Sequence, residues 1–157
     1  MAETADTTGS AKPEFRMQKM YVKDLSFENP NAPEVFTVQQ SAEPKVEVNL
    51  QLNNKQVDED HWEVALEITA KVSTKADDKV LFILEVEHAA IFKLKNIPKE
   101  HMPMLLGVDC PTLLFPFTRQ IVSQVSIDGG FVPFLMEPVN FMALFQKAQK
   151  EKKQAKN

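Results

Sequence analysis

Four stretches of this chain alternate apolar and polar residues with a period of two, and after Pro98 that alternation stops. The change of rhythm constrains the fold more than any other feature. Side chains point to opposite faces along a strand but return every three or four residues along a helix. Phe15, Met17, Tyr21, Leu25 and Phe27 share one predicted face of the first strand, and Arg16, Gln18, Asp24, Ser26 and Glu28 share the other, where the same parity puts Met20 and Val22. The run Asn29-Pro30-Asn31-Ala32-Pro33 ends that strand, because each proline lacks an N–H donor and disfavours helix before it. A loop holding Val35, Phe36 and Val38 follows. Val46, Val48, Leu50 and Leu52 mark a second strand, and Trp62, Val64, Leu66, Ile68, Ala70 and Val72 a third. A polar turn at Lys75-Ala76-Asp77-Asp78 predicts an antiparallel hairpin into the fourth, with Val80, Phe82, Leu84, Val86 and Phe92 inside. The outer face of that strand mixes Leu81, Ile83, Ala89 and Ile91 with Glu85 and Glu87, which is too apolar for contact with water alone.

Beyond Pro98, Leu113, Leu114, Phe117, Ile121, Val122 and Val125 recur at helical steps until Gly129-Gly130. An unusually apolar connection, Phe131 to Met136, leads to Asn140, which is placed to cap a last helix bearing Phe141, Leu144, Phe145 and Ala148. Strands first and helices afterwards predict the α+β class: a four-stranded antiparallel sheet followed by helices packed on one face. With 157 residues, one domain is expected. Residues 1–14 read as a disordered leader, 15–147 as the domain, and 148–157 as a basic flexible tail. The helices and the apolar connection offer more apolar surface than one sheet face can cover, which predicts a homo-oligomer.

Several chemistries are excluded or disfavoured. No apolar run approaches the roughly 18–20 residues of a membrane span, and the N-terminus lacks a basic and apolar export signal, so a cytoplasmic protein with no integral membrane segment is expected. The net charge is −4, yet five lysines against Glu151 leave the last eleven residues at +4 and the rest at −8. An acidic body is a poor partner for nucleic acid. The glycines form no phosphate loop, and His61, His88 and His101 have no metal-binding spacing, so no metal or cofactor is expected. Cys110 with His101 or His88 is the one candidate for nucleophilic catalysis, against the simpler reading of a small buried thiol. No catalytic residue is assigned.

Two features point to binding instead. Asp24 and Glu28 lie on one strand face, about 13 Å apart by strand rise, and Ile83 and Glu85 share the outward parity of the fourth strand. A mixed acidic and apolar face suits a basic protein partner. Eleven of the chain's aromatics are Phe, and Phe36, Phe92, Phe115, Phe117, Phe131 and Phe134 sit in or beside proline-containing connections where a groove for extended apolar peptides can form.

YVKDLSFENPNAPEVF at Tyr21 to Phe36, LEVEHAAIF at Leu84 to Phe92, LGVDCPTLLFPFTRQIVSQVS from Leu106, and GGFVPFLMEPVNFMALF at Gly129 to Phe145 closely resemble the bacterial SecB family of protein-export chaperones. The likeness spans roughly Met17 to Lys147. It implies a homotetramer, a dimer of dimers, that holds unfolded secretory precursor proteins without ATP or another cofactor and delivers them to the SecA motor. By matching motif, the SecA-binding residues are Asp24, Glu28, Ile83 and Glu85, and the groove residues are Phe36, Phe115, Phe117, Phe131 and Phe134. Where many relatives carry a tryptophan soon after the position of Phe36, Thr37 to Ala42 contain none. The basic tail also departs from the family's acidic or polar one. A SecB-like holdase serving general proteostasis or a toxin–antitoxin pair, uncoupled from SecA, is the alternative.

Overall fold

A computed structural model describes residues 11–37 and 43–156. Strands β1 (Glu14–Glu28), β2 (Pro44–Gln56), β3 (His61–Thr74) and β4 (Val80–Lys95) form one antiparallel sheet in the order β1-β4-β3-β2. The predicted β3–β4 hairpin is the centre of the sheet, and β1 and β2 are its edges. The predicted leader falls mostly outside the described residues, as does Val38; β1 begins at Glu14.

The simple parity of β1 is corrected by two bulges. Met17 pairs with Phe92 and Lys19 with Ile91, so Gln18 is an extra residue; Val22 pairs with His88 and Asp24 with Glu87, so Lys23 is another. Each inserted residue flips the face of those that follow. Met20 and Val22 therefore join Phe15, Met17, Leu25 and Phe27 on the helix side, and Tyr21 turns to the outer face. Asp24 and Glu28 keep their predicted outward side because the second bulge restores it. A third irregularity, between Val72 and Ser73, removes Leu81 from the outer face and leaves it buried beside Phe82.

The helical segment begins earlier than its apolar period implies. A short turn at Lys99–His101 passes into α1 (Met102–Met104), a wide π-helical turn (Leu105–Asp109) and α2 (Cys110–Asp128) without a break. Pro111 would press on the carbonyl four residues earlier, and the widened turn relieves that clash. On its inner side α2 sets Leu114, Phe115, Thr118, Val122 and Ser126, all buried. Leu113, Phe117 and Ile127 remain 42–43% exposed on its other side. The last helix, α3 (Phe141–Ala155), starts with Ala143 N–H donating to the Asn140 side chain at 3.0 Å, as its capping sequence predicts. It does not dissolve at residue 148. Its Lys, Gln, Glu and Ala are all good helix formers, and the helix runs on to Ala155 where a flexible tail was expected.

His88 joins the two layers. It is 3% exposed on the helix side of β4, with Nδ1 2.7 Å from Thr118 Oγ, which itself lies 3.3 Å from the Leu114 carbonyl. With the hydroxyl donating to that carbonyl, the ring must donate its Nδ1–H. Burial holds the imidazole below its ordinary pKa. The unfolded chain therefore takes up a proton at higher pH than the folded one, so stability is full above the unfolded value and declines as pH falls toward the folded value. The urea midpoint should drop between about pH 7.5 and about pH 5.5, and less so in His88→Asn. Equal slopes for both proteins would exclude His88 as the source.

Candidate functional site

The sheet carries a different surface on each side of β2. On the helix side, Val46, Val48, Leu50 and Leu52 follow one another along this edge strand, with Val46 and Val48 45–46% exposed. Beside them runs the extended connection from Phe131 to Val139. It is held in place by α2: Phe131 N–H donates to the Ser126 carbonyl at 3.0 Å, Phe134 N–H to Ser126 Oγ at 2.8 Å, and Arg119 to the Met136 carbonyl at 3.4 Å. Between strand and connection lie two adjoining cavities of about 580 and 500 Å³, which share Val46, Phe134 and Leu135. A third, of about 530 Å³, continues past Leu52 and Trp62 to Phe145 on α3. The result is an apolar groove along most of β2.

Its upper wall is built from the proline-rich loop after β1. Asn31 donates to the Val80 carbonyl at 2.7 Å and Asn29 to the Gly129 carbonyl at 3.2 Å, anchoring the loop to β4 and to the end of α2. These anchors put Phe36, half exposed, 5.2 Å from Phe131, which stands 5.0 Å from Phe82. Gly130 lies beneath Phe36 at φ +91°, where a Cβ would stand 2.9 Å from the ring. Gly130→Ala should therefore cost about 1–2 kcal/mol in urea unfolding, from the left-handed backbone alone. An unchanged midpoint would show that the backbone at residue 130 relaxes out of the left-handed region without cost.

Phe36, Phe131 and Phe134 thus meet in the groove, together with Val46, Leu81 and Leu135, which sequence reasoning passed over. Phe115 and Phe117 do not meet them. The prolines around these two lie within the continuous helical run rather than in a connection, so Phe115 is buried 5.8 Å from Phe141 and Phe117 faces outward from α2. Thr37 ends the described part of the loop, and the stretch without tryptophan lies mostly outside the described residues. Trp62, on the helix side of β3, lines the third cavity.

The opposite side of the same sheet is acidic. Ser26 pairs with Glu85, Asp24 with Glu87 and Glu28 with Ile83, so all four predicted residues share one surface. Asp24, Glu85, Glu67 and Glu87 line a shallow depression with Asn49 and Gln51. Among the described residues, Asp24, Glu67 and Glu85 have no cation within 4.0 Å. Glu63 and Glu87 are treated differently. Lys23, pushed out by its bulge, reaches Glu63 at 3.0 Å and Glu87 at 3.7 Å, and the Tyr21 hydroxyl also donates to Glu63. Burial works to raise the Glu63 carboxyl, but these hydrogen bonds and the lysine charge hold it below its usual range. Glu67 and Glu87 extend the face; the polar alternation of β3 and β4 carried that signal.

Cys110 is fully buried, and desolvation, with the charge of Asp109, pushes its thiol up to about 12. It is protonated at neutral pH, the reverse of what a thiolate nucleophile requires.

The sequence comparisons with known proteins agree on one family. Residues 8–152 match the family described as preprotein translocase subunit SecB. A protein-export protein SecB from Desulfotalea psychrophila is 70% identical over 98% of this chain and 97% of its own length. The chain belongs to the SecB family. A second SecB, from Magnetococcus marinus, is 48% identical over 97% of this chain and 95% of that protein. Among solved structures, a SecB-like chaperone of Mycobacterium tuberculosis in complex with an antitoxin peptide superposes with a TM-score of 0.67 at 12% identity, over 80% of this chain and 91% of that one, and so shares the SecB fold.

Proposed function

We propose that this SecB-family chain holds unfolded secretory precursors in the groove along β2 and hands them to SecA through the acidic face of the same sheet. The observation that carries this reading is the separation of the two surfaces. An apolar groove beside an exposed strand edge takes extended chains through area and main-chain hydrogen bonds, with little demand on sequence. The carboxylates behind it attract a basic partner without competing for the client. Binding the unfolded state alone delays folding by mass action, so neither nucleotide nor cofactor is required, and the work is done in the cytoplasm.

The active form is a homotetramer, a dimer of dimers. The bare flank of α2, with Leu113, Phe117 and Ile127, and the exposed helix-side residues of β1, Val22 and Leu25 at 44–45%, are apolar surface that a second copy would cover. Several grooves in one assembly retain one client through effective concentration while each contact stays weak enough to release. A precursor diluted from denaturant into buffer without nucleotide should refold much more slowly when an equimolar amount of assembled protein is present. Refolding at its free rate would reject the holding function.

A further inference from the structure

Along α3, Lys147, Lys150 and Lys153 recur every three residues, with Lys156 just past the helix end. All four are exposed, and among the described residues none lies within 4.0 Å of a carboxylate. The helix dipole favours cations in the last turn, which accounts for Lys152 and Lys153 but not for Lys147 or Lys150. The apolar side of the helix is already occupied: Phe141 is buried against Phe115, Phe145 sits over Gly107, and Ala148 lines the cavity next to Trp62. What remains outward is Lys147, Lys150 and Lys153, spread over about 120° of the helix, with Lys156 just beyond its end, on a chain whose other residues sum to −8.

We propose that this row docks the protein peripherally on an anionic phospholipid surface. Charge complementarity requires an anionic partner, and the matching family is described as a subunit of the preprotein translocase, whose cargo must reach a membrane. Lipid fits better than nucleic acid, because the polar face of α3 offers only Lys, Gln and Glu and no aromatic ring on which a base could stack. Met142, 37% exposed at the start of the helix, is an apolar side chain on the flank of this lysine row. Lysines near an anionic leaflet add their attractions within a Debye length, so the contact is reversible by salt. The acidic body faces the opposite demand, which orients the protein with α3 toward the lipid.

The test is co-sedimentation of the full chain with phosphatidylcholine vesicles that contain or lack phosphatidylglycerol, at low and at physiological salt. Binding should require phosphatidylglycerol, weaken with salt, and fall at least about tenfold when Lys147, Lys150, Lys153 and Lys156 are all changed to Gln. Circular dichroism of the variant should show the helix retained, and its delay of precursor refolding should match the parent's, so that this inference can fail while the holding function stands. Equal binding to both kinds of vesicle would overturn the proposal, as would undiminished binding of the variant. Binding to polyuridylic acid without binding to either vesicle would assign the row to nucleic acid and overturn it as well.

Discussion

Changing Asp24 and Glu85 together to Lys should weaken the binding of SecA by roughly a hundredfold at low salt while leaving precursor holding intact. Both carboxylates are exposed and lie on the outer face, where the paired register brings them to one depression with Glu67 and Glu87. Neither has a cation of its own within 4.0 Å among the described residues, so the reversal removes attraction without stripping an internal partner. A basic partner would then meet two like charges where it met two opposite ones. The loss should lie chiefly in the association rate and shrink as ionic strength rises. The groove is on the other side of the sheet, so the delay of precursor refolding should not change. Surface calorimetry or biolayer measurement of SecA affinity decides the matter: unchanged affinity would move the contact elsewhere.

Leu135→Glu should do the reverse. Leu135 is 70% exposed yet lines both adjoining cavities between β2 and the connection, so its replacement puts a charge in the proposed client path without hollowing the core. Folding stability should stay within about 0.5 kcal/mol of the parent, as for other exposed positions. Client affinity should fall by roughly an order of magnitude, since apolar segments must leave that carboxylate partly desolvated and unpaired. SecA affinity should be unaffected. A variant that holds precursors as well as the parent would mean that the channel along β2 is not the client path. Together the two variants form a double dissociation that no general loss of folding can imitate.

The strands and their order as a sheet-then-helix chain are legible in the alternation itself, and so is the Asn140 cap. Faces are legible only while the period holds. Gln18 and Lys23 look like ordinary polar positions of β1, yet each is a bulge, and between them Met20, Tyr21 and Val22 stand on the faces opposite to those a strict period assigns. Asp24 and Glu28 survive because two slips cancel. Phe115 and Phe117 mislead for a different reason: proline usually ends a helix, but here a π-helical turn at Leu105–Asp109 precedes Pro111, and α2 also runs on through Pro116. Whether a phenylalanine lines a groove or fills a core depends on what packs opposite it. For Phe131 and Phe134 that is fixed by hydrogen bonds that a connection without secondary structure of its own donates to Ser126 of α2, and no local sequence pattern encodes them.

The most direct test of the central claim is the native mass of the purified protein mixed with an equimolar unfolded precursor and no nucleotide. The predicted species is an assembly of four chains carrying one client. A single chain that leaves the precursor unbound would contradict both the assembly and the holding function.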